Sequence, residues 1–151
     1  MKRKLFTSLF AVLLVGMAFL GTSCSSNDND VEKLLMHSEP FTVNASEWTW
    51  SATNLRWESR KQFQILDNYI YENGTPIGYV FLGKQNEDEV QAQLPYISKT
   101  YILDNGEKFT ETLGYEFSNL TKSVTFFIRP SDGVEDTDAK VTYHFRIALI
   151  W

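Results

Sequence analysis

The sequence predicts an all-β fold, an immunoglobulin-like antiparallel β-sandwich of about seven strands. Apolar and polar residues alternate in several segments, and turn signals recur about every ten residues. No segment after residue 24 carries a sustained apolar stripe of helical period. Since the chain has one cysteine, the disulfide of antibody domains is absent, and immunoglobulin ancestry is not implied.

An export signal occupies residues 1–23. Basic residues at positions 2–4 precede an apolar run over residues 5–20. The run is shorter than the roughly 20 apolar residues that a membrane-spanning helix needs, and small residues follow it. We therefore expect this signal peptide to be cleaved.

Cys24 follows Leu20-Gly21-Thr22-Ser23, which resembles the lipobox of bacterial lipoproteins. In that family the cysteine carries a diacylglycerol and becomes the mature N-terminus. The match is imperfect because Gly21 stands where the family has an apolar residue. The alternative is an ordinary signal-peptidase site with a free thiol. We favour lipidation because the chain has no second cysteine for an internal disulfide.

Residues 24–39 are predicted to be the lipidated cysteine and a flexible tether. The polar, acidic residues 25–30 suit a solvated spacer. They also resemble the stretch that directs Bacteroidota-type lipoproteins to the outer surface. The resemblance implies an outer-membrane protein that is lipid-anchored at Cys24 and exposed at the cell surface.

Length and charge limit the possible classes of function. Cleavage leaves 128 residues, and residues 40–151 suit one domain. Three of the 14 basic residues and none of the 19 acidic ones precede Cys24, so the mature chain has a net charge of −8. This balance disfavours nucleic acid as a partner.

In the first half of the domain, residues 41–45 alternate as in a half-buried strand, and Phe63 and Ile65 resume the pattern. Asn73-Gly74 predicts a turn, since this dipeptide readily takes positive φ. Residues 77–82 are apolar on both faces, which predicts a central strand.

In the second half, Leu94-Pro95-Tyr96 predicts an edge strand or a strand end, because proline cannot donate to a ladder. Asp104-Asn105-Gly106 predicts a hairpin turn. The alternating segments 113–117 and 124–128 predict a second strand pair, joined at Ser118-Asn119. An acidic loop over residues 131–138 precedes the last strand.

That last strand, residues 141–151, has an apolar residue at every odd position. We expect the odd positions to line the core and His144 to face outward. Together with Trp48, the Asn-Gly turn, the Ile-Gly-Tyr-Val-Phe strand and Leu94-Pro95-Tyr96, this strand resembles a group of small uncharacterised Bacteroidota-type surface lipoproteins. The resemblance implies a β-sandwich at a cell surface and no particular chemistry.

No catalytic motif, cofactor motif or metal-ligand spacing appears in the sequence. His37 and His144 have no catalytic partner at a useful spacing. Loop carboxylates that assemble in space leave a hydrolase open as an alternative. The acidic run 132–138 offers ligands of the type that Ca²⁺ takes, but matches no calcium-loop spacing, and we interpret it as a solvated loop.

Trp48, Trp50 and Trp57 are the candidate ligand-binding residues. Such rings in a surface loop can stack on a sugar or a peptide side chain. The alternative is that they cap one end of the core, which we favour, with Trp48 buried and Trp50 or Trp57 exposed.

Three functions follow as hypotheses. The first is a non-enzymatic surface module that binds a glycan or a protein. The second is a structural accessory subunit of an envelope complex, held through an exposed strand edge. A hydrolase with loop carboxylates comes third.

We predict that Cys24→Ser releases the protein in soluble form, because after cleavage the sequence shows no other membrane-active segment. Fractionation measures the release, and mass spectrometry of the wild-type N-terminus measures the modification. An unmodified Cys24 thiol in the wild-type protein would contradict the lipoprotein assignment.

Overall fold

Two antiparallel sheets pack face to face in the computed structural model, which describes residues 35–84 and 87–151. The predicted signal peptide, Cys24 and most of the predicted tether lie outside these residues. The nine strands are β1 Met36–Val43, β2 Thr49–Ser51, β3 Arg56–Gln62, β4 Thr75–Leu82, β5 Val90–Gln93, β6 Tyr96–Ile102, β7 Lys108–Ser118, β8 Ser123–Pro130 and β9 Tyr143–Ile150. Three short helices join them, α1 Asn68–Asn73, η1 Ala45–Glu47 and η2 Thr137–Ala139.

The predicted all-β sandwich is confirmed. One sheet has the strand order β1-β9-β4-β5 and the other β2-β3-β8-β7-β6. The described residues contain nine strands rather than about seven, because β2 and β5 have three and four residues and are too short for alternation to reveal. The connections also differ from those of an immunoglobulin domain, since β1 pairs with the last strand, β9.

The core lies between the sheets, and the alternation of residues in β9 defines it. The expectation that Val141 also lines the core is wrong, because Val141 precedes β9 and is 39% exposed. Phe145, Ile147 and Leu149 are fully buried, whereas His144 is exposed on the outer face. The Phe145 ring stacks on Phe126 of β8, with the ring centroids 4.3 Å apart. This aromatic pair joins the two sheets at the centre of the domain.

A glycine in β4 lets a tyrosine cross between the sheets. The Tyr115 hydroxyl accepts a hydrogen bond from the Gly78 N–H at 3.1 Å and donates one to the Pro76 carbonyl at 3.2 Å. A Cβ at position 78 would lie 2.3 Å from the Tyr115 ring. Position 78 therefore needs glycine, because any side chain there would collide with the Tyr115 ring.

The sandwich begins earlier than residue 40. Strand β1 starts at Met36, inside the segment predicted as tether, and pairs with β9 from Met36↔Ile150 to Val43↔Tyr143. β1 accommodates Pro40 within its length because it is an edge strand, where a missing N–H is tolerated.

The prediction that Asn73-Gly74 forms a turn with positive φ was wrong. These residues end the helix α1, which Asp67 caps by accepting the Ile70 N–H, and Gly74 has φ −82°. A helix of six residues is too short to show a helical stripe in the sequence. The hairpin predicted at 104–106 is confirmed, with Gly106 at φ +84° between β6 and β7.

We predict that Phe145→Ala lowers the free energy of unfolding by about 3 to 5 kcal/mol, the usual loss for a buried aromatic ring. His144→Ala, one residue away on the outer face, is the matched control and should cost less than about 1 kcal/mol. Urea denaturation measures both. A loss for His144→Ala as large as that for Phe145→Ala would contradict the assignment of Phe145 to the core face and His144 to the outer face of β9.

Candidate functional site

Two of the three candidate tryptophans are buried and hold a loop in place. Trp48 and Trp57 are 3% and 4% exposed. The indole N–H of Trp48 donates to the Val141 carbonyl, and that of Trp57 to the Asp136 carbonyl, both at 2.9 Å. Both carbonyls belong to the loop of residues 131–142, which joins β8 to β9. The two rings thus cap one end of the core and attach this loop to it.

Trp50 is the most exposed of the three rings, and it is half-buried. It faces Trp57 across the β2–β3 pair, with their ring centroids 5.4 Å apart in an edge-to-face arrangement. The expectation that Trp48 is buried is confirmed, but the expectation that Trp50 or Trp57 is exposed is not, since Trp50 is half-buried and Trp57 is buried. The three indoles do not form one exposed platform, because two of them lie in the core.

A pocket of about 280 Å³ lies where the 131–142 loop covers the end of the β2-β3-β8-β7-β6 sheet. Its apolar wall combines strand residues with loop residues. That wall consists of Trp57, Phe109, Pro130, Val134 and Ala139. Trp57 therefore contributes to a site as a wall residue rather than as a stacking platform.

Glu111 of β7 also lines the pocket, and its side chain is 1% exposed. One carboxylate oxygen, Oε1, accepts a hydrogen bond from the Tyr101 hydroxyl at 2.8 Å. The other, Oε2, has no hydrogen-bond partner among the described residues, and Lys99 Nζ lies 3.8 Å from it. A buried carboxylate with one oxygen unsatisfied is costly, which makes Glu111 the most unusual side chain in this region.

The neighbours of Glu111 keep fixed protonation states at neutral pH. Burial and the hydrogen bond to Glu111 raise the pKa of Tyr101, so its hydroxyl remains a donor. Burial alone would lower the pKa of Lys99, but its interactions with Tyr101 and Glu111 outweigh this effect and raise it. Lys99 therefore stays an ammonium ion and partly balances the Glu111 carboxylate.

Three further carboxylates belong to the loop side of the pocket, Asp132, Glu135 and Asp136. None of them takes part in an ion pair with another described residue. Within residues 35–84 and 87–151, no group of three or more His, Cys, Asp and Glu side chains is arranged to hold a metal ion. The loop predicted as solvated thus forms one side of a pocket.

Sequence reasoning missed Glu111, although a signal for it existed. The apolar residues at positions 113, 115 and 117 share one face of the predicted strand, and the same parity extends back to Glu111 and Phe109. An acidic residue in phase with core residues indicates a buried charge.

A second depression lies on the outer face of the β1-β9-β4-β5 sheet and measures about 230 Å³. His144 has a partner there that sequence spacing did not reveal, since its Nδ1 lies 3.0 Å from the Thr42 hydroxyl on the neighbouring strand. The Arg146 guanidinium covers the Phe81 ring at 5.0 Å and so shields the outer apolar face of β4. The polar side chains of this depression, Thr42, His144 and Arg146, are exposed or half-exposed.

No protein-family model, curated protein or solved structure matches this chain. The function is therefore inferred from the geometry of the site. In the part of the chain that the structure describes, no helix is both long and apolar enough to cross a membrane. Cys24, the predicted lipid-attachment residue, lies outside that part.

We predict that Trp57→Ala lowers the free energy of unfolding by about 3 to 5 kcal/mol, because it removes a buried ring and a hydrogen bond to the loop. Trp50→Ala, at the facing position of the same strand pair, should cost less than half as much since Trp50 is half-buried. Chemical denaturation followed by circular dichroism compares the two. A larger loss for Trp50→Ala than for Trp57→Ala would contradict this assignment of the core.

Proposed function

We propose that this chain is a non-enzymatic cell-envelope lipoprotein, anchored through lipid on Cys24, whose sandwich domain binds a glycan or a protein at the cell surface. The binding site is the pocket beside Trp57 and Glu111. One observation carries this proposal, namely an apolar pocket that also contains a buried carboxylate with an unsatisfied oxygen.

The position of the pocket in the domain supports this function. Leu35 exchanges two backbone hydrogen bonds with Trp151, so the chain enters the sandwich beside the C-terminus. The 131–142 loop precedes Tyr143, which pairs with Val43 at the far end of β1. Eight strand residues separate the two ends, a distance of roughly 25 Å. The pocket therefore lies at the end of the domain opposite to Leu35.

A structural accessory subunit is the second candidate, and the edge strands favour it. β6 is an edge strand of seven residues, with Ile97 and Ile102 55% and 67% exposed. The other three edges of the described sheets are short or contain Pro40. β6 has a bulge between Ile97 and Lys99, but it is the longest edge strand without a proline. Such an edge can pair with a strand of another protein.

Binding to glycan and peptide arrays tests the first function. We predict that Val134→Trp reduces binding of any ligand found by at least about tenfold, because a bulky ring fills a pocket of side-chain size. Val134 is 60% exposed, so the fold should tolerate the change. Leu120→Trp is the matched control, because Leu120 is 95% exposed in the β7–β8 turn at the opposite end.

Undiminished binding by Val134→Trp would exclude the pocket as the binding site. A second outcome would favour the accessory subunit instead. In that case the Val134→Trp variant still binds, whereas Thr100→Pro, which places a proline in β6, abolishes binding. Release of cleaved sugar or peptide from the array would show that the protein is an enzyme.

A further inference from the structure

The charged residues that line the pocket are all acidic. Asp132, Glu135 and Asp136 line it on the loop side and Glu111 on the strand side. Two ammonium groups lie nearby, Lys99 beside Glu111 and Lys140, whose Nζ is 4.8 Å from the Trp57 ring centroid. Four carboxylates therefore face two ammonium groups, and the pocket favours a cationic ligand group over an anionic one.

The Glu111 carboxylate strengthens this preference from the strand side of the pocket. Its side chain is 99% buried, and its Oε2 atom is shielded from water and has no hydrogen-bond partner among the described residues. Charges interact more strongly through a poorly solvated interior than through water. Lys99 Nζ, at 3.8 Å, is too far away for a hydrogen bond and neutralises this carboxylate only in part.

The apolar wall determines the rest of the ligand. Trp57, Phe109, Val134 and Ala139 offer carbon surface and no free hydrogen-bonding group, because the one polar atom among their side chains, the Trp57 N–H, already binds the Asp136 carbonyl. A neutral sugar would bury several hydroxyls against this wall without partners, which is unfavourable. An aliphatic chain suits it well. A volume of about 280 Å³ accommodates a group of side-chain size.

We propose that the pocket binds a primary alkylammonium group, the chemistry shared by a lysine side chain and a small aliphatic amine. This inference rests on the proposed function and narrows it. The methylene chain lies against the apolar wall, and the ammonium group lies among the carboxylates of the 131–142 loop, in the field of Glu111. Long cationic side chains commonly divide between two such environments.

Isothermal titration calorimetry on the full processed protein tests the proposal with three probes. Nα-acetyl-lysine methylamide carries the ammonium group, Nα-acetyl-norleucine methylamide has an uncharged aliphatic side chain, and butylammonium is a free amine. We expect the lysine derivative to bind at least about tenfold more tightly than the norleucine derivative, with a difference that shrinks as salt is added. Equal affinities for these two probes would overturn the proposal.

The third probe distinguishes the two sources of the group. Butylammonium binding as tightly as the lysine derivative would support the proposal with a free amine as ligand. If the lysine derivative binds about tenfold more tightly than butylammonium, the result would support the proposal with a protein lysine as ligand, because the peptide groups then add contacts.

Variants test the assigned carboxylates. The exposed pair Asp132→Asn with Glu135→Gln should weaken lysine-derivative binding by about five- to tenfold without affecting folding, and Glu111→Gln should weaken it by a similar factor. The matched control is Glu72→Gln in α1, at the other end of the domain, which should change nothing. Unchanged affinity in the Asp132→Asn, Glu135→Gln double variant would overturn the proposal. If an array ligand is lost in Val134→Trp while none of the three probes binds, the pocket remains the binding site and the alkylammonium assignment is wrong.

Discussion

The attachment of one loop by two indole N–H groups is the constraint on which the binding end of this domain depends. Backbone carbonyls that approach a core must be hydrogen-bonded. The carbonyls of Asp136 and Val141 meet this requirement through Trp57 and Trp48. A tryptophan supplies a large apolar ring and one donor, so the same side chain fills the end of the sandwich and fixes the loop above it. These two bonds, with the hydrogen bond from the Ser131 N–H to the Thr110 carbonyl, hold the loop side of the pocket over the sheet.

Glu111 lies directly below that loop and departs from the rule that polar groups inside a fold are satisfied. Tyr101 satisfies one oxygen and Lys99 partly balances the charge, but Oε2 has no hydrogen bond among the described residues. Leucine at this position would continue the inner apolar face of β7 and remove the cost of burying a charge. A residue that lowers stability in this way, beside an apolar pocket, is the kind of departure expected at a functional site. For this reason Glu111, rather than the indoles, is central to the binding proposal.

The antiparallel pairing of β1 with β9 gives the domain two unlike ends. One end contains Leu35, Trp151 and the exposed residues of α1, and the other contains the 131–142 loop with its carboxylates. The separation follows from strand length alone, since β1 spans the sheet in eight residues. Leu35 and Val134 therefore lie at opposite ends of the domain.

The sequence by itself determined the all-β class, the inner face of β9, the 104–106 hairpin and the burial of Trp48, because each depends on local parity, turn chemistry or the size of a ring. It did not determine the start at Met36 or the helix ending at Gly74, since pairing with β9 and capping by Asp67 compensate for weak local signals. Only the tertiary structure decided the pocket. Trp57, Glu111 and Val134 belong to three separate segments, and strand pairing and loop attachment, which no spacing in the sequence records, bring them to one place.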